Sequence, residues 1–192
     1  MAESKATAPH LYVESDVRVS ESDPAAIVRA SALALREIPQ INGAYRDGAF
    51  ERYSRINIGV AFQGAEALAF PTVFDADRKS VPEIATELER LGGRIAAGEL
   101  TSPETSGGTF TVVRAAVGAI RSLTPVINQG QAATLGIGPV TERPIVREGE
   151  LVAGTALTAV LACDARMISG HEGARFLDRV RGLLEDPAAL AV

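Results

Sequence analysis

The sequence predicts an α/β protein in which amphipathic helices lie on a sheet. Three observations carry that reading. Extended and helical segments alternate along the chain, one helix opens with a capping box and a single apolar stripe, and Leu151 to Cys163 reads as one long strand buried on both sides.

Taken in order, His10 to Val19 alternates apolar and polar residues, with Leu11, Val13, Val17 and Val19 on one face, as a half-buried strand does. Asp23-Pro24 starts a helix, with Asp as N-cap and Pro at the first helical position; it runs through Ala25 to Glu37 and stops before Pro39. Asp47-Gly48 marks a tight turn between two short strands, and Arg55 to Phe62 continues as a third. Ser80-Val81-Pro82-Glu83 is the capping box. Ile84, Leu88, Leu91 and Ile95 follow on one face, and Gly98 ends the helix. Thr109 to Val113, Ala132 to Ile137, and a pair joined at Arg147-Glu148-Gly149-Glu150 are extended, the last continuing through Leu151 to Cys163. A final helix spans His171 to Leu184, with Ala174, Leu177, Val180 and Leu184 on one side. The apolar tail Pro187 to Val192 is expected to bury itself in a neighbouring subunit.

Composition narrows the function classes. A chain of 192 residues, 46% hydrophobic and 22% charged, suits one folded domain over residues 1–192 and excludes a disordered chain. Its net charge of −5 argues against nucleic acid or an anionic membrane as partner. No signal peptide or membrane-spanning run is visible, so a cytoplasmic protein is expected. One cysteine, Cys163, forms no internal disulfide and reads as an inert packed thiol.

Reactive side chains are few. Two histidines, His10 and His171, do not stand at metal-ligand spacings, and no metal site is expected. Gly136-Ile137-Gly138 lacks the third glycine of a phosphate loop and reads as a turn at a strand end. Asp75-Ala76-Asp77-Arg78-Lys79-Ser80 reads either as a solvated turn before the capped helix or as a charged recognition loop.

Four segments recur in a fixed order: Asp75 to Ser80; Gly107-Gly108-Thr109-Phe110-Thr111; Val126-Ile127-Asn128 with Gln131-Ala132-Ala133; and Cys163-Asp164 to Gly170 followed by Gly173-Ala174-Arg175-Phe176-Leu177. Together they resemble the catalytic domain of the 2-oxoacid dehydrogenase acyltransferases, the dihydrolipoamide acyltransferase (E2) family related to chloramphenicol acetyltransferase. The likeness runs from about Met1 to Pro187, nearly the whole chain. It implies a two-layer sandwich, a mixed sheet with helices on one face, assembled as a homotrimer. It also implies active sites between subunits, in a channel entered by a CoA thioester from one end and by the acceptor from the other.

In that family a histidine in a His-x-x-x-Asp-Gly turn takes the acceptor's proton, and a serine after the Thr-Phe-Thr strand holds the oxyanion. This chain departs at all three positions. Ala165 stands at the histidine, Ser169 at the aspartate and Val113 at the serine. An alanine methyl accepts no proton and a valine donates no hydrogen bond. Ala165 is either an engineered replacement or natural divergence, and the changes at Val113 and Ser169 fit divergence more simply. His171, with Glu172 beside it, is a candidate replacement acid or base at the start of the last helix, and Asn128 a candidate positioning residue. His10, in the family's Pro-His segment, is expected to be structural.

The lipoyl and subunit-binding domains of such acyltransferases are absent from these residues, and the segment between Val19 and Asp23 is short, which is expected to widen the channel. The resemblance therefore implies acyl transfer from CoA or a carrier thioester to a small-molecule hydroxyl or thiol, with the general base missing. No covalently bound cofactor is implied; acyl-CoA or an acyl carrier would be the co-substrate. Two alternatives stand beside it: a non-catalytic trimeric scaffold, reaching higher assembly through its tail, and a channel repurposed for elimination or cyclisation.

Overall fold

The computed structural model of the chain describes residues 2–63, 68–115 and 120–191. Helix α1 (Ala2–Thr7) leads into strand β1 (His10–Val17) and helix α2 (Pro24–Glu37). The hairpin β2 (Gly43–Arg46) and β3 (Ala49–Arg52) is followed by short strands β4 (Ile58–Val60), β5 (Phe62–Gln63), β6 (Leu68–Ala69) and β7 (Thr72–Val73). Helix α3 (Val81–Ala96), strands β8 (Phe110–Arg114), β9 (Ala133–Ile137), β10 (Thr141–Arg147) and β11 (Glu150–Asp164), and helix α4 (Gly170–Glu185) complete the chain. Among the described residues no helix is long and apolar enough to cross a membrane.

The main sheet runs β1-β11-β9-β8-β4-β7, with β10 also paired to β11. It is mixed: β8 lies parallel to both β9 and β4, and the other pairs are antiparallel. Side chains alternate across it. Leu157, Ala159, Leu161 and Cys163 of β11, Leu135 of β9, and Phe110 and Val112 of β8 all join the core beneath the helices. There Phe110 meets Phe176 of α4 with ring centroids 5.5 Å apart.

The expected helix starts hold. Asp23 accepts from the Ala25 amide at 2.9 Å and caps α2. Ser80 and Glu83 form the box that opens α3. Asp47 and Gly48 both take positive φ in the two-residue turn of the first hairpin, which is the conformation such turns require.

Four expectations change. The strand read from Arg55 begins only at Ile58, because Asn57 is spent on loop contacts: it donates to Gly107 O and accepts from the Asp75 amide. Only Ala156 to Asp164 of the long segment is buried; residues 150–155 pair with β10 alone, beyond the ends of β1 and β9, and project with Leu151 75% exposed. Gly136 is no turn residue. It lies within β9, where a Cβ would stand 2.4 Å from Leu123 O, and one on Gly138 would stand 2.6 Å from Arg121 O. These glycines let the segment from Arg121 to Pro125 cross directly over the helix-free face of the sheet. Finally, the tail puts Leu190, 4% exposed, into the chain's own core, so its best anchor is already used; Val192 lies outside the described residues.

The Asp75 to Ser80 segment, expected as a solvated turn or a charged recognition loop, is packed at Ala76 and exposed at Arg78 and Ser80. Arg55 pairs with Asp75 at 2.5 Å and holds its carboxyl below the usual range. Ala76 is fully buried, and Arg29 reaches the Asp77 carbonyl at 2.7 Å.

Candidate active site

Strand β11 ends in the buried Asp164, and the chain then turns sharply into α4. The turn is built by Asp164 itself. Its carboxylate accepts the Arg166 amide at 3.0 Å and two guanidinium contacts at 2.5 and 2.9 Å. Arg166 is charged more firmly for it, and its guanidinium lies 4.0 Å from the centre of the Tyr45 ring. Ala165 sits at the apex, exposed, its amide donating to Pro9 O at 2.9 Å. Its backbone is held; its side chain is a methyl group.

Opposite this turn lies the Asn128 segment. Asn128 donates to the Thr111 hydroxyl at 2.8 Å, Thr111 donates to Gln131 Oε1 at 2.8 Å, and Gln131 donates to Gly108 O at 3.0 Å. The chain of bonds ties the segment to β8, and sequence reasoning did not single out Thr111 or Gln131 as members of one network. Tyr53 adds a bond to Gly130 O at 2.7 Å. Between turn and segment is an open cavity of about 760 Å³, lined by Tyr45, Arg46, Asn128, Gln131, Asp164 and Arg166 among others. Its volume suits a small ligand or part of a larger one.

The remaining site candidates lie elsewhere. Val113, half-buried on β8, stands in register with Gly136 and through it with Val160, five residues before Ala165. Five residues of strand rise and two strand spacings therefore put Val113 and Ala165 roughly 19 Å apart within one chain. Ser169 is the N-cap of α4: it accepts from the Glu172 amide, while the Glu172 carboxylate accepts from both the Ser169 amide and its hydroxyl at 2.9 and 2.8 Å. Those bonds, the backbone one first, lower the Glu172 pKa and commit the carboxylate to capping. His171 is exposed on the first turn of α4 and does not line this cavity.

The short segment from Val19 to Asp23 does not border the polar cavity. It lines a separate one of about 660 Å³ at the Val113 end of the sheet, walled by Ile27, Val81, Leu157, Leu184 and Leu190. Arg114, next to Val113, is partly buried, its Nε has no partner among the described residues, and burial lowers its pKa. Cys163 lies under the sheet, its thiol pushed up to about 12 by burial, then by Asp164 and Glu172. Among the described residues no cluster of His, Cys, Asp and Glu is grouped to hold a metal.

A family model described as the 2-oxoacid dehydrogenases acyltransferase (catalytic domain) matches residues 24–192. The dihydrolipoyllysine-residue acetyltransferase component of the Staphylococcus epidermidis pyruvate dehydrogenase complex is 34% identical over 211 residues, covering 99% of this chain and 49% of that protein. The chain thus spans about half the length of that relative. A crystal structure of a probable dihydrolipoamide acetyltransferase from Listeria monocytogenes superposes with a TM-score of 0.91 at 25% identity, over 96% of this chain and 87% of that one. Chloramphenicol acetyltransferase, at 18% identity, shares the fold with a TM-score of 0.57 over 92% of this chain and 89% of its own.

Proposed function

This chain belongs to the 2-oxoacid dehydrogenase acyltransferase family through its catalytic domain, and from that premise we propose that it is an acyl-transfer core whose binding scaffold is intact and whose proton-accepting group is missing. The polar cavity receives an acyl thioester, of CoA or a carrier, and an acceptor thiol or small-molecule hydroxyl. One observation carries the reading. The Asp164–Arg166 turn and the Asn128–Thr111–Gln131 network are hydrogen-bonded around a 760 Å³ cavity, and the side chain presented at the apex, Ala165, is inert.

The chemistry follows from that arrangement. Attack on a thioester carbonyl requires the acceptor to lose its proton and the tetrahedral intermediate to keep its negative oxygen stabilised. Neither the Ala165 methyl nor the Val113 side chain serves either step, so transfer by this chain runs about 10²–10⁴-fold below that of a histidine-bearing core. A separation of roughly 19 Å between Val113 and Ala165 in one chain supports a site completed by a second copy, in a homotrimer.

Acetyl-CoA is the probe. In thermal-shift titration it should stabilise both the wild-type chain and Ala165→His, with the midpoint rising as ligand exceeds its dissociation constant. Light scattering should give three copies per particle. If neither chain responds to acetyl-CoA, the acyl-transfer reading fails.

A non-catalytic scaffold is the second reading. It is favoured by Ser169, which serves as a helix cap where the family has an aspartate, and it predicts trimers that ignore acetyl-CoA. Elimination or cyclisation through His171 and Glu172 draws no support from an exposed histidine outside the cavity and a carboxylate committed to capping.

A further inference from the structure

Residues 8–10 touch both walls of the polar cavity. Ala8 lines it, Pro9 O accepts the Ala165 amide, and His10 reaches the Asn128 segment. His10 Nδ1 lies 2.7 Å from Ala8 O, and the Ile127 amide points at Nε2 from 3.2 Å. A carbonyl only accepts and a backbone amide only donates. The bonding pattern therefore has one solution, with the proton on Nδ1 donated to Ala8 O and a lone pair on Nε2 receiving Ile127 N–H. His10 is held as the neutral imidazole.

We infer that His10 is a positioning residue for the cavity, a clasp that holds the Asn128 wall only while its ring is uncharged. This rests on the proposed role of that cavity. A doubly protonated ring presents N–H at both nitrogens and has nothing to offer the Ile127 amide. Ile127 is 1% exposed, so its amide is left buried and unbonded until the segment shifts, and Asn128 moves with it. Histidine changes charge between pH 5 and 8, within the range of ordinary solution experiments.

The charges around the ring are few. Tyr12 on the same strand has its ring centroid 5.9 Å from that of His10, and Lys5 of α1 bonds the Tyr12 hydroxyl and stands 4.8 Å from the Tyr12 ring centre. Asp164, opposite His10 in the strand register, is paired with Arg166. The first turn of α4, which packs on β1, carries the exposed His171 and the capped Glu172. Val126, Ile127 and Asn128 bring no titratable group.

Side-chain nitrogen NMR at pH 8 should find His10 as the Nδ1–H tautomer. The hydrogen-exchange protection factor of the Ile127 amide should fall about 10-fold or more between pH 8 and pH 5. In His10→Gln, whose amide oxygen accepts at every pH, that protection should not change with pH, while His10→Ala should lack it throughout. Affinity for acetyl-CoA should drop about 10-fold at pH 5 in the wild type and hold steady in His10→Gln. An Nε2–H tautomer, or Ile127 protection in the wild type that is indifferent to pH, would overturn the clasp. Absence of acetyl-CoA binding at any pH would remove the acyl-transfer reading and leave tautomer and exchange to decide the clasp alone.

Discussion

At the Ala165 end of the sheet, Asp164, Arg166, Asn128, Thr111 and Gln131 bond to one another around a polar cavity. At the Val113 end, Ile27, Val81, Leu157, Leu184 and Leu190 wall a cavity that residues 18–23 also line. The first end keeps its hydrogen-bonded frame around an inert apex. At the second, Val113 carries no hydroxyl and Arg114 Nε has no partner among the described residues. Scaffold and chemistry are thus separable in this fold. The groups that shape the turn neutralise a buried carboxylate, whereas the side chain at its apex faces solvent.

That contrast can be broken most severely at Arg166. Arg166→Ala strands the Asp164 carboxylate, which is 2% exposed, with only a backbone amide for company. We expect a loss of about 3 kcal/mol in denaturant unfolding; a loss below about 0.5 kcal/mol would show that the polar end is not structural. At the other end, Leu190→Ala should cost about 2 kcal/mol, the low side of such truncations because the neighbouring cavity already leaves room. Its particle mass by light scattering should stay that of the wild type, and dissociation would return the tail to a role between subunits.

The smallest effect is at the α4 cap. Ser169→Ala should cost about 1 kcal/mol, while Ser169→Thr, whose hydroxyl both accepts the Glu172 amide and donates to its carboxylate, should stay within about 0.5 kcal/mol of wild type. The capping carboxylate adds a pH signature. Because the folded state lowers the Glu172 pKa, its contribution is complete above the ordinary carboxylate range and lost as pH falls through the lowered value. Glu172→Gln should flatten that part of the acid unfolding curve.

Much of the frame was legible because it is local. Asp23, Ser80 and Asp47-Gly48 specify their helix starts and hairpin turn through bonds and dihedrals within a few residues. What escaped depends on partners distant in sequence. Gly136 reads as a turn signal until the crossing of Leu123 over it is known. The exposure of Leu151 follows from where β1 and β9 stop, not from its own hydrophobicity. At the site, the order of motifs points to Ala165, Ser169 and Val113, but not to the separation of roughly 19 Å between Val113 and Ala165, which strand rise, strand spacing and register set. The tautomer of His10 is set by Ile127, more than a hundred residues away.

On the proposed function, the missing proton acceptor at Ala165 limits acyl transfer more than the missing hydroxyl at Val113 does. Acetyl transfer from acetyl-CoA to dihydrolipoamide should be measured for the wild-type chain and for Ala165→His across pH. The rate should be about 10²–10⁴-fold higher in Ala165→His, rising with pH as the introduced imidazole loses its proton. A wild-type rate equal to that of Ala165→His would contradict it.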